Sequence, residues 1–403
     1  MIDLSQPVNL ASQAFTQSKF EWLERIREEQ PVHRARISAL TVYTVARYDD
    51  CTTFLKDPRV YRNRTTATGG SRFPIPLPKS VRPLAESMIQ EDDPKHRRLR
   101  ELVRRAFQPQ AIERLEQQIA THTEVLLDEL AKQRSFELQS AYALPIPLRM
   151  IGDMMGVPEQ DRMRFQQSLG VLTEGFSGWR MIKTLLRDLP AAVRFVRELV
   201  RAKQQSPGDD ILTSLIEAED EGDRLTEDEI VAMVFLLMIG GFETTVHLIS
   251  NGVLTLLEHP DQLDLLRSQP TLIDSAVEEI LRHRGPIQST KPGYANEDLR
   301  LHGITIPRGK PIMPLLAAAN HDPRVFESPQ RFDIRRSPNR HLGFGHGVHF
   351  CLGAHLARAE ARIALGRLIE RFDDLHLAVD PTELELQAMP GWHRYRRVPL
   401  TVG

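Results

Sequence analysis

The sequence predicts a mainly α-helical protein with small β-sheets, folded as a single large domain over residues 1–403. Apolar residues recur at spacings of three and four over long stretches, which is the helical pattern. Stretches of β-branched or alternating residues are few and short, as in small sheets. We find no internal repeat and no Gly/Ser-rich joint that would divide the chain, and this favours one domain.

The helical pattern is clearest in Ala111 to Leu130, Val193 to Val200 and Ala354 to Phe372. Another helix is expected after Thr226, because Thr226-Glu-Asp-Glu229 has the form of a capping box. This helix could run to about Glu258. Its apolar run from Ile230 to Ile239 is too short to span a bilayer and predicts a buried core helix.

Strands of small sheets are predicted at Leu40 to Val45 and at Leu299 to Ile306, where a Pro-Arg-Gly turn follows. The stretch from Arg62 to Pro83 contains two glycines and four prolines among apolar residues. This composition predicts an irregular loop, and loops of that length are often functional lids.

Composition excludes several classes of protein. Lys and Arg total 52 against 54 Asp and Glu, so the net charge of -2 gives no footprint of a nucleic-acid binder. The two cysteines, Cys51 and Cys351, are far apart and suggest neither a disulfide framework nor a CxxC metal site. No signal peptide or membrane-spanning stretch is evident at the sequence level. We therefore expect a soluble cytoplasmic monomer without a membrane anchor.

One cysteine lies in an unusual setting. The segment His341-Leu-Gly-Phe-Gly-His-Gly-Val-His-Phe-Cys-Leu-Gly353 surrounds Cys351 with four glycines and three histidines, directly before a predicted helix. Gly347 and Gly353 would let the backbone turn tightly and approach a large flat group, and N–H groups at the helix start would stabilise a thiolate. The alternatives are a buried structural cysteine, or a zinc site in which the cysteine is joined by His341, His346 and His349.

The predicted core helix also carries an unusual segment, Gly240-Gly-Phe-Glu-Thr-Thr245. Each glycine costs about 1 kcal/mol relative to alanine in a helix. An acid and a hydroxyl among apolar residues are costly unless they contact water or a ligand. The segment therefore indicates either a ligand site or a close helix crossing with a capped polar pair.

The cysteine segment resembles a known signature. Phe344-Gly-His-Gly-Val-His-Phe-Cys351-Leu-Gly353 matches F-x-x-G-x-[HR]-x-C-x-G of the cytochrome P450 superfamily at every specified position. The resemblance implies that family's fold, with a haem enclosed between the long central helix and the cysteine loop. It implies heme b (iron protoporphyrin IX) with the Cys351 thiolate as axial ligand, Phe344 near the haem and His349 on a propionate. A thiolate ligand favours O–O cleavage.

The segment in the core helix resembles a second motif of the same family, [AG]-G-x-[DE]-T-[TS]. By this resemblance Gly240 and Gly241 leave room for oxygen over the haem. Glu243 and Thr244 then form the catalytic pair that delivers protons, because O–O cleavage requires an acid that feeds a hydroxyl or water chain.

Two weaker pairs gain meaning from the resemblance. Taken alone, Glu279 and Arg282 would be a solvated ion pair. The basic helix around His96 and Arg100 would, by itself, be a solvated surface or a site for a polyanion. In the family, the first pair joins Arg331 in a buried structural triad and the second binds haem propionates. An acidic ferredoxin could then dock on arginines beside that helix, namely Arg97, Arg98, Arg104 and Arg105.

The implied reaction inserts one atom of O2 into a C–H or C=C bond of an apolar organic substrate. Electrons would come from NAD(P)H through a separate reductase and ferredoxin, because the chain has no recognisable flavin or nicotinamide domain. A haem sensor or carrier without turnover and a peroxide-driven peroxygenase are the alternatives. The acid–alcohol pair Glu243-Thr244 argues against both.

The likeness is greatest to soluble bacterial members that hydroxylate polyketide macrolides and related natural products. Family position implies an apolar substrate pocket. Its expected lining residues are Met88, Ile89, Phe235, Ile239, Ile287, Gln288 and Trp392.

The sequence departs from the family pattern at one strand. Where soluble members commonly carry an arginine that reaches a haem propionate, the ungapped alignment of Pro286 to Ala295 places Gly293. Either the register is off by one or two residues and Lys291 supplies the charge, or the propionates depend more heavily on His96, Arg100 and His349.

Overall fold

The computed structural model describes residues 3–70, 86–106, 109–174, 183–220 and 222–403. Helices dominate these residues, and the strands are short. The α-helices are Gln13–Gln17, Lys19–Glu29, Tyr48–Phe54, Arg64–Thr68, Lys95–Ala106, Pro109–Leu130, Pro145–Met154, Arg162–Glu174, Leu189–Gln205, Ile211–Glu217, Glu227–Glu258, Pro260–Ser268, Ile273–Arg284, Leu316–Asn320 and Ala354–Arg371.

The described strands form one larger sheet and three small ones. They are β1 (Val8–Asn9), β2 (Val32–Ile37), β3 (Leu40–Val45), β4 (Val60–Tyr61), β5 (Ser135–Glu137), β6 (Glu219–Asp220), β7 (Asp223–Arg224), β8 (Gly293–Ala295), β9 (Leu299–Leu301), β10 (Ile304–Ile306), β11 (Pro311–Pro314), β12 (Leu375–Leu377) and β13 (Pro399–Val402). The six-stranded sheet has the order β1-β2-β3-β11-β8-β4, and the others are β9-β10, β12-β13-β5 and β6-β7.

The chain divides into two compact units. The first comprises Met1–Gly70, Thr123–Ala143 and Thr244–Gly403, and the second comprises Ser71–His122 and Leu144–Glu243. The first unit contains the six-stranded sheet, the β9-β10 hairpin and the three-stranded sheet. The second unit is helical apart from the β6-β7 hairpin, as far as it is described.

The sheet of the first unit joins distant parts of the chain. Strand β11 runs parallel to β3, with Met313 opposite Thr44, and antiparallel to β8, with Ile312 opposite Gly293. The core against this sheet is made of buried aliphatic residues such as Val42 and Ile26. Strand β3, Leu-Thr-Val-Tyr-Thr-Val, is rich in the β-branched residues that favour strands.

The central helix, Glu227–Glu258, has the predicted bounds and the predicted cap. Thr226 Oγ1 accepts from Glu229 N at 3.3 Å, and Glu229 Oε2 accepts from Thr226 N at 2.9 Å, which confirms the capping box. An 18-residue window of this helix reaches a mean hydropathy of 1.8, enough to cross a membrane by composition alone, and 56% of the window is buried.

Other local predictions can be compared with the structure. The helices expected near Ala111, Val193 and Ala354 are present. The stretch Leu299 to Ile306 forms two strands rather than one, because His302 and Gly303 adopt positive φ angles of 49° and 77° and turn the chain back. Within the expected loop from residue 62 to 83, residues 64–68 form a short helix, and residues 71–85 lie outside the described ranges.

Candidate active site

The loop that carries Cys351 is a tight turn at the start of the helix Ala354–Arg371, here called the cysteine helix. Gly345 and Gly347 have φ angles of 75° and 73°, which side chains rarely adopt. A Cβ at Gly347 would lie 2.6 Å from the backbone oxygen of Leu55, so glycine is required there for a second reason. The Cys351 N–H donates to the carbonyl of Phe344 at 2.9 Å and closes the turn.

The two cysteines have opposite surroundings. Cys51 is buried, its Sγ donates to Val45 O at 3.3 Å, and burial raises the pKa of the thiol. Cys351 is exposed. The alternative of a buried structural cysteine therefore describes Cys51 and is wrong for Cys351.

The zinc alternative is also wrong. In the described ranges, no three or more His, Cys, Asp or Glu side chains gather in a way that could hold a metal ion. His341 is instead engaged by Glu278, whose Oε2 lies 3.0 Å from His341 Nε2, and its Nδ1 accepts from Gly343 N at 3.0 Å. The histidines of the loop thus do not converge on the thiol as tetrahedral zinc ligands would.

Phe344 is fixed by a cation. The guanidinium of Arg358 on the cysteine helix lies 4.5 Å from the Phe344 ring centroid. Arg358 donates to both carboxylate oxygens of Glu278, at 2.6 and 2.8 Å. These hydrogen bonds, and more weakly the charge of Cys351, raise the pKa of Arg358. A permanent cation is therefore held within electrostatic reach of the Cys351 sulfur.

The cysteine loop presents apolar surface around the thiol. Val348 and Phe350 are 58% and 40% exposed, which is unusual for such side chains. No described atom lies within 4 Å of the position that a Cβ on Gly353 would take. An exposed thiol with apolar neighbours and open space fits a large, flat, apolar ligand that carries a metal ion, as a haem does.

The central helix also has exposed residues next to a fully buried stretch. Ile239 is 48% exposed and Gly240 is exposed, although Val234 and Met238 just before them are fully buried. A Cβ on Gly240 would meet nothing within 4 Å in the described structure, so no helix crossing requires this glycine. The crossing glycine is Gly252, where a Cβ would lie 3.0 Å from Leu365 Cδ1. Among the described residues, none packs against Gly240 as a helix crossing would require.

The predicted catalytic pair, Glu243 and Thr244, is half-buried on the central helix. The next residue, Thr245, is buried and donates from Oγ1 to Oε2 of Glu360 at 3.2 Å. Glu360 is fully buried on the cysteine helix, and burial raises the pKa of its carboxyl group to about 8. This acid was missed at the sequence level. The signal was its place on an apolar stripe, four residues after Leu356 and four before Ala364.

His96 and Arg100 lie one turn apart on the helix Lys95–Ala106 of the second unit. His96 is 2% exposed, and its Nδ1 lies 3.4 Å from Asp93 Oδ1. Burial lowers the pKa of His96. Arg98, expected on a docking surface, instead forms ion pairs with Asp223 and Glu229. Arg98 is half-buried and paired with two carboxylates, whereas Arg97 and Arg104 are exposed and each pair with one, Asp93 and Glu101.

A buried ion cluster surrounds Glu279. Arg282 donates to both of its carboxylate oxygens at 2.8 Å, and Arg336 Nε lies 3.1 Å from each. Arg331 was predicted as the third member, and this is wrong. Its side chain is exposed, and it contributes only its carbonyl, which accepts from Arg282 and Arg336 at 3.1 and 2.9 Å. The backbone path places Arg336, five residues later, over the carboxylate.

The expected substrate residues fall into both units. In the first unit, Ile287 and Trp392 form a β-bridge, and the Gln288 N–H donates to Gly391 O at 2.8 Å. The Trp392 ring meets His247 edge-on, with centroids 6.2 Å apart. The other four expected residues belong to the second unit, where Met88 and Phe235 are buried, Ile89 is half-buried and Ile239 is exposed.

Gly293 begins β8 and is buried. A Cβ there would lie 2.6 Å from Val60 Cγ1 and 3.2 Å from Phe54 Cζ. Lys291, the predicted alternative source of charge, has an exposed side chain. Its carbonyl accepts a hydrogen bond from the guanidinium of Arg62.

Comparisons with known proteins identify the family. The cytochrome P450 family model matches residues 179–389. The polyketide biosynthesis cytochrome P450 PksS of Bacillus subtilis is 37% identical over 377 residues, covering 92% of each chain. The cytochrome P450 monooxygenase PikC of Streptomyces venezuelae is 38% identical over 398 residues, covering 96% of this chain and 92% of the relative.

A solved structure of PksS from Bacillus subtilis 168 superposes with a TM-score of 0.91 at 35% identity, covering 98% of this chain and 99% of that one. The family implies haem with an axial cysteine thiolate, molecular oxygen, an organic substrate and redox partners. The chain therefore belongs to the cytochrome P450 family and is a haem-thiolate monooxygenase.

Proposed function

We propose that Cys351 is the thiolate ligand of the haem and that the chain hydroxylates an apolar natural product of the polyketide type. The observation that carries the first part is the contrast between the two thiols. Cys351 is exposed on a glycine-built turn, whereas Cys51 is buried and donates to a backbone carbonyl. A ligand as large as haem can bind to a sulfur that is open to its surroundings, whereas the Cys51 sulfur is enclosed by protein atoms.

When bound, haem with a thiolate ligand supplies the activation of molecular oxygen. The protein supplies position and charge. The Gly345–Gly347 turn fixes the direction of the sulfur, and Arg358 lies near enough for its charge to act on it. Phe344, held under that guanidinium, covers one side of the loop.

The haem propionates are two carboxylates that need cationic or hydrogen-bonding partners. We assign this role to His96, Arg100 and His349. Burial lowers the pKa of His96, so His96 acts as a neutral hydrogen-bond donor unless a carboxylate restores its charge.

Proton delivery is assigned to Glu243 and Thr244. A half-buried acid followed by a hydroxyl on a helix can pass protons from solvent toward the open space at Gly240. Thr245 does not share this task, because its hydroxyl donates to Glu360.

The substrate class rests on likeness to PksS, whose name places it in polyketide biosynthesis. We expect Met88, Ile89, Phe235, Ile239, Ile287, Gln288 and Trp392 to line the pocket.

We further propose that the chain is a soluble cytoplasmic monomer without a membrane anchor, folded as a single domain. Its electron donors are a ferredoxin and a ferredoxin reductase, with the exposed Arg97 and Arg104 as docking cations.

A reduced, carbon monoxide-bound difference spectrum tests the assignment of the ligand. Cys351→Ala should lose the band of thiolate-bound haem, and Cys51→Ala should keep it. A thiolate band that persists in Cys351→Ala contradicts the assignment. For the substrate, a screen of spectral shifts with macrolides, terpenoids, steroids and fatty acids should show its strongest binding among macrolides.

A further inference from the structure

Arg62 and Gly293 face each other at the end of the pairing between the antiparallel strands β4 and β8. Strands β4 and β8 pair Val60 with Ala295 and Tyr61 with Tyr294. One more step in this register sets Arg62, the residue after β4, against Gly293. Residues that face each other in an antiparallel pair send their side chains to the same side of the sheet. The side chain of Arg62 therefore starts on the side where a side chain at position 293 would lie.

The space at position 293 is filled by other residues. Val60 Cγ1 and Phe54 Cζ would lie 2.6 and 3.2 Å from a Cβ on Gly293. Val60 is a short, stiff side chain with no flexible end that could move away. An arginine at position 293 would therefore displace its neighbours, whereas the arginine at position 62 is already accommodated.

The guanidinium of Arg62 extends along the chain that enters β8. It donates to the carbonyl of Lys291, and its Nη1 lies 3.5 Å from Thr290 Oγ1. A guanidinium carries five N–H donors in a fixed fork, so one side chain can hold a backbone carbonyl and a carboxylate together. Lys291, by contrast, is an exposed residue that contributes its backbone carbonyl to this contact.

This region adjoins the cysteine loop through the end of the helix Tyr48–Phe54. Phe54 faces position 293, and the next two residues, Leu55 and Lys56, face position 347 of the loop. Residues 54–56 thus contact both the start of β8 and the loop that carries Cys351. Arg62 therefore lies beside a strand that packs on the same chain segment as the cysteine loop.

We propose that Arg62 binds a haem propionate, taking from the neighbouring strand the role for which Gly293 has no side chain. The proposal rests on the proposed function, because it assumes haem on Cys351. It replaces both sequence-level explanations for the missing charge. If Arg62 has this role, neither a shifted register nor Lys291 is needed to supply the missing charge.

Transfer of haem from the ferric protein to excess apomyoglobin tests this role. Arg62→Gln keeps a donor for the Lys291 carbonyl but removes the charge. We expect it to speed haem loss about tenfold, since a lost charge-assisted hydrogen bond is worth roughly that factor. Lys291→Gln and the neighbouring exposed Arg64→Gln are matched controls and should change the rate less than twofold.

Haem with esterified propionates separates a propionate contact from a purely structural role. Holoenzyme reconstituted with this haem should lose it equally fast in wild type and Arg62→Gln, whereas ordinary haem should show the difference. If Arg62→Gln matches wild type with ordinary haem, or if its effect persists with the ester, the proposal is wrong. Absence of the thiolate band in wild type would instead contradict the proposed function.

A relocation of the charge gives a second test. A triple variant moves the arginine from β4 to the facing position on β8 and removes the obstructing methyl groups. Its substitutions are Arg62→Gly, Gly293→Arg and Val60→Ala. It should lose haem more slowly than Arg62→Gly alone, and resonance Raman bands of the propionates should return toward those of wild type. Equal haem loss in the two variants would contradict a propionate contact on this face.

Discussion

Thr245 on the central helix donates a hydrogen bond of 3.2 Å to Glu360 on the cysteine helix. Both residues are buried, and the pKa of Glu360 is raised by burial to about 8. The carboxyl group is therefore mostly protonated at neutral pH. A neutral carboxylic acid thus links the cysteine helix to the central helix, which carries the expected proton-delivery pair.

This buried acid should make stability depend on pH. The folded protein keeps a proton on Glu360 between its ordinary pKa of 4.5 and about 8, and the unfolded chain releases it. Stability contributed by this group is thus fully present below pH 4.5 and is lost as the pH rises toward 8, by about 1.4 kcal/mol per pH unit at most. Glu360→Gln should flatten that fall in urea unfolding between pH 5 and 8. The exposed Glu370→Gln serves as control, and an unchanged slope in Glu360→Gln would contradict the argument.

Thr244→Ala should bind substrate normally but waste electrons, because the hydroxyl delivers protons and does not hold the substrate. The measurements are the substrate-induced spectral shift and the yield of product per NAD(P)H consumed. Thr244→Ser retains the hydroxyl and should stay coupled. Equal yields in Thr244→Ala and wild type would remove Thr244 from proton delivery.

Arg336→Ala should destabilise the protein by about 1.5–3 kcal/mol, since Glu279 loses a charge-assisted hydrogen bond but keeps its pair with Arg282. Arg331→Ala keeps the backbone carbonyl that the cluster uses and should change stability by less than about 0.5 kcal/mol. Chemical denaturation of the two variants compares them directly. A larger loss in Arg331→Ala would reverse the assignment of the third member.

His321 should make the protein sensitive to acid. It is 4% exposed between the rings of Phe20 and His283, and burial lowers its pKa to about 3. Between pH 6.5 and 3 the unfolded chain binds a proton that the folded protein excludes. Stability is thus kept above pH 6.5 and lost as the pH falls, by about 1.4 kcal/mol per pH unit at most. His321→Gln should reduce this slope, the exposed His376→Gln should not, and equal slopes would exclude His321.

The sequence predicts those parts of the site that depend on local chemistry. The cap at Thr226 and the cysteine turn follow from residue types at fixed spacings, and the structure has both. Arg331 is the third member that the family resemblance implies, and the sequence gives no sign of Arg336, because both lie in an irregular segment where no periodicity tells which side chain turns inward. The contact of Arg62 with the chain before β8 depends on strand pairing across more than 200 residues, which local patterns do not specify.

The parallel pairing of β3 with β11 has a consequence for how the protein is made. Thr44 leaves the ribosome long before its partner Met313, roughly 15 to 50 s earlier at ordinary rates of synthesis. During that interval the β2–β3 hairpin exposes an unpaired edge that other nascent chains can join. We therefore expect slower synthesis to favour aggregation of this protein, and chaperones that shield strand edges to increase the yield of folded enzyme.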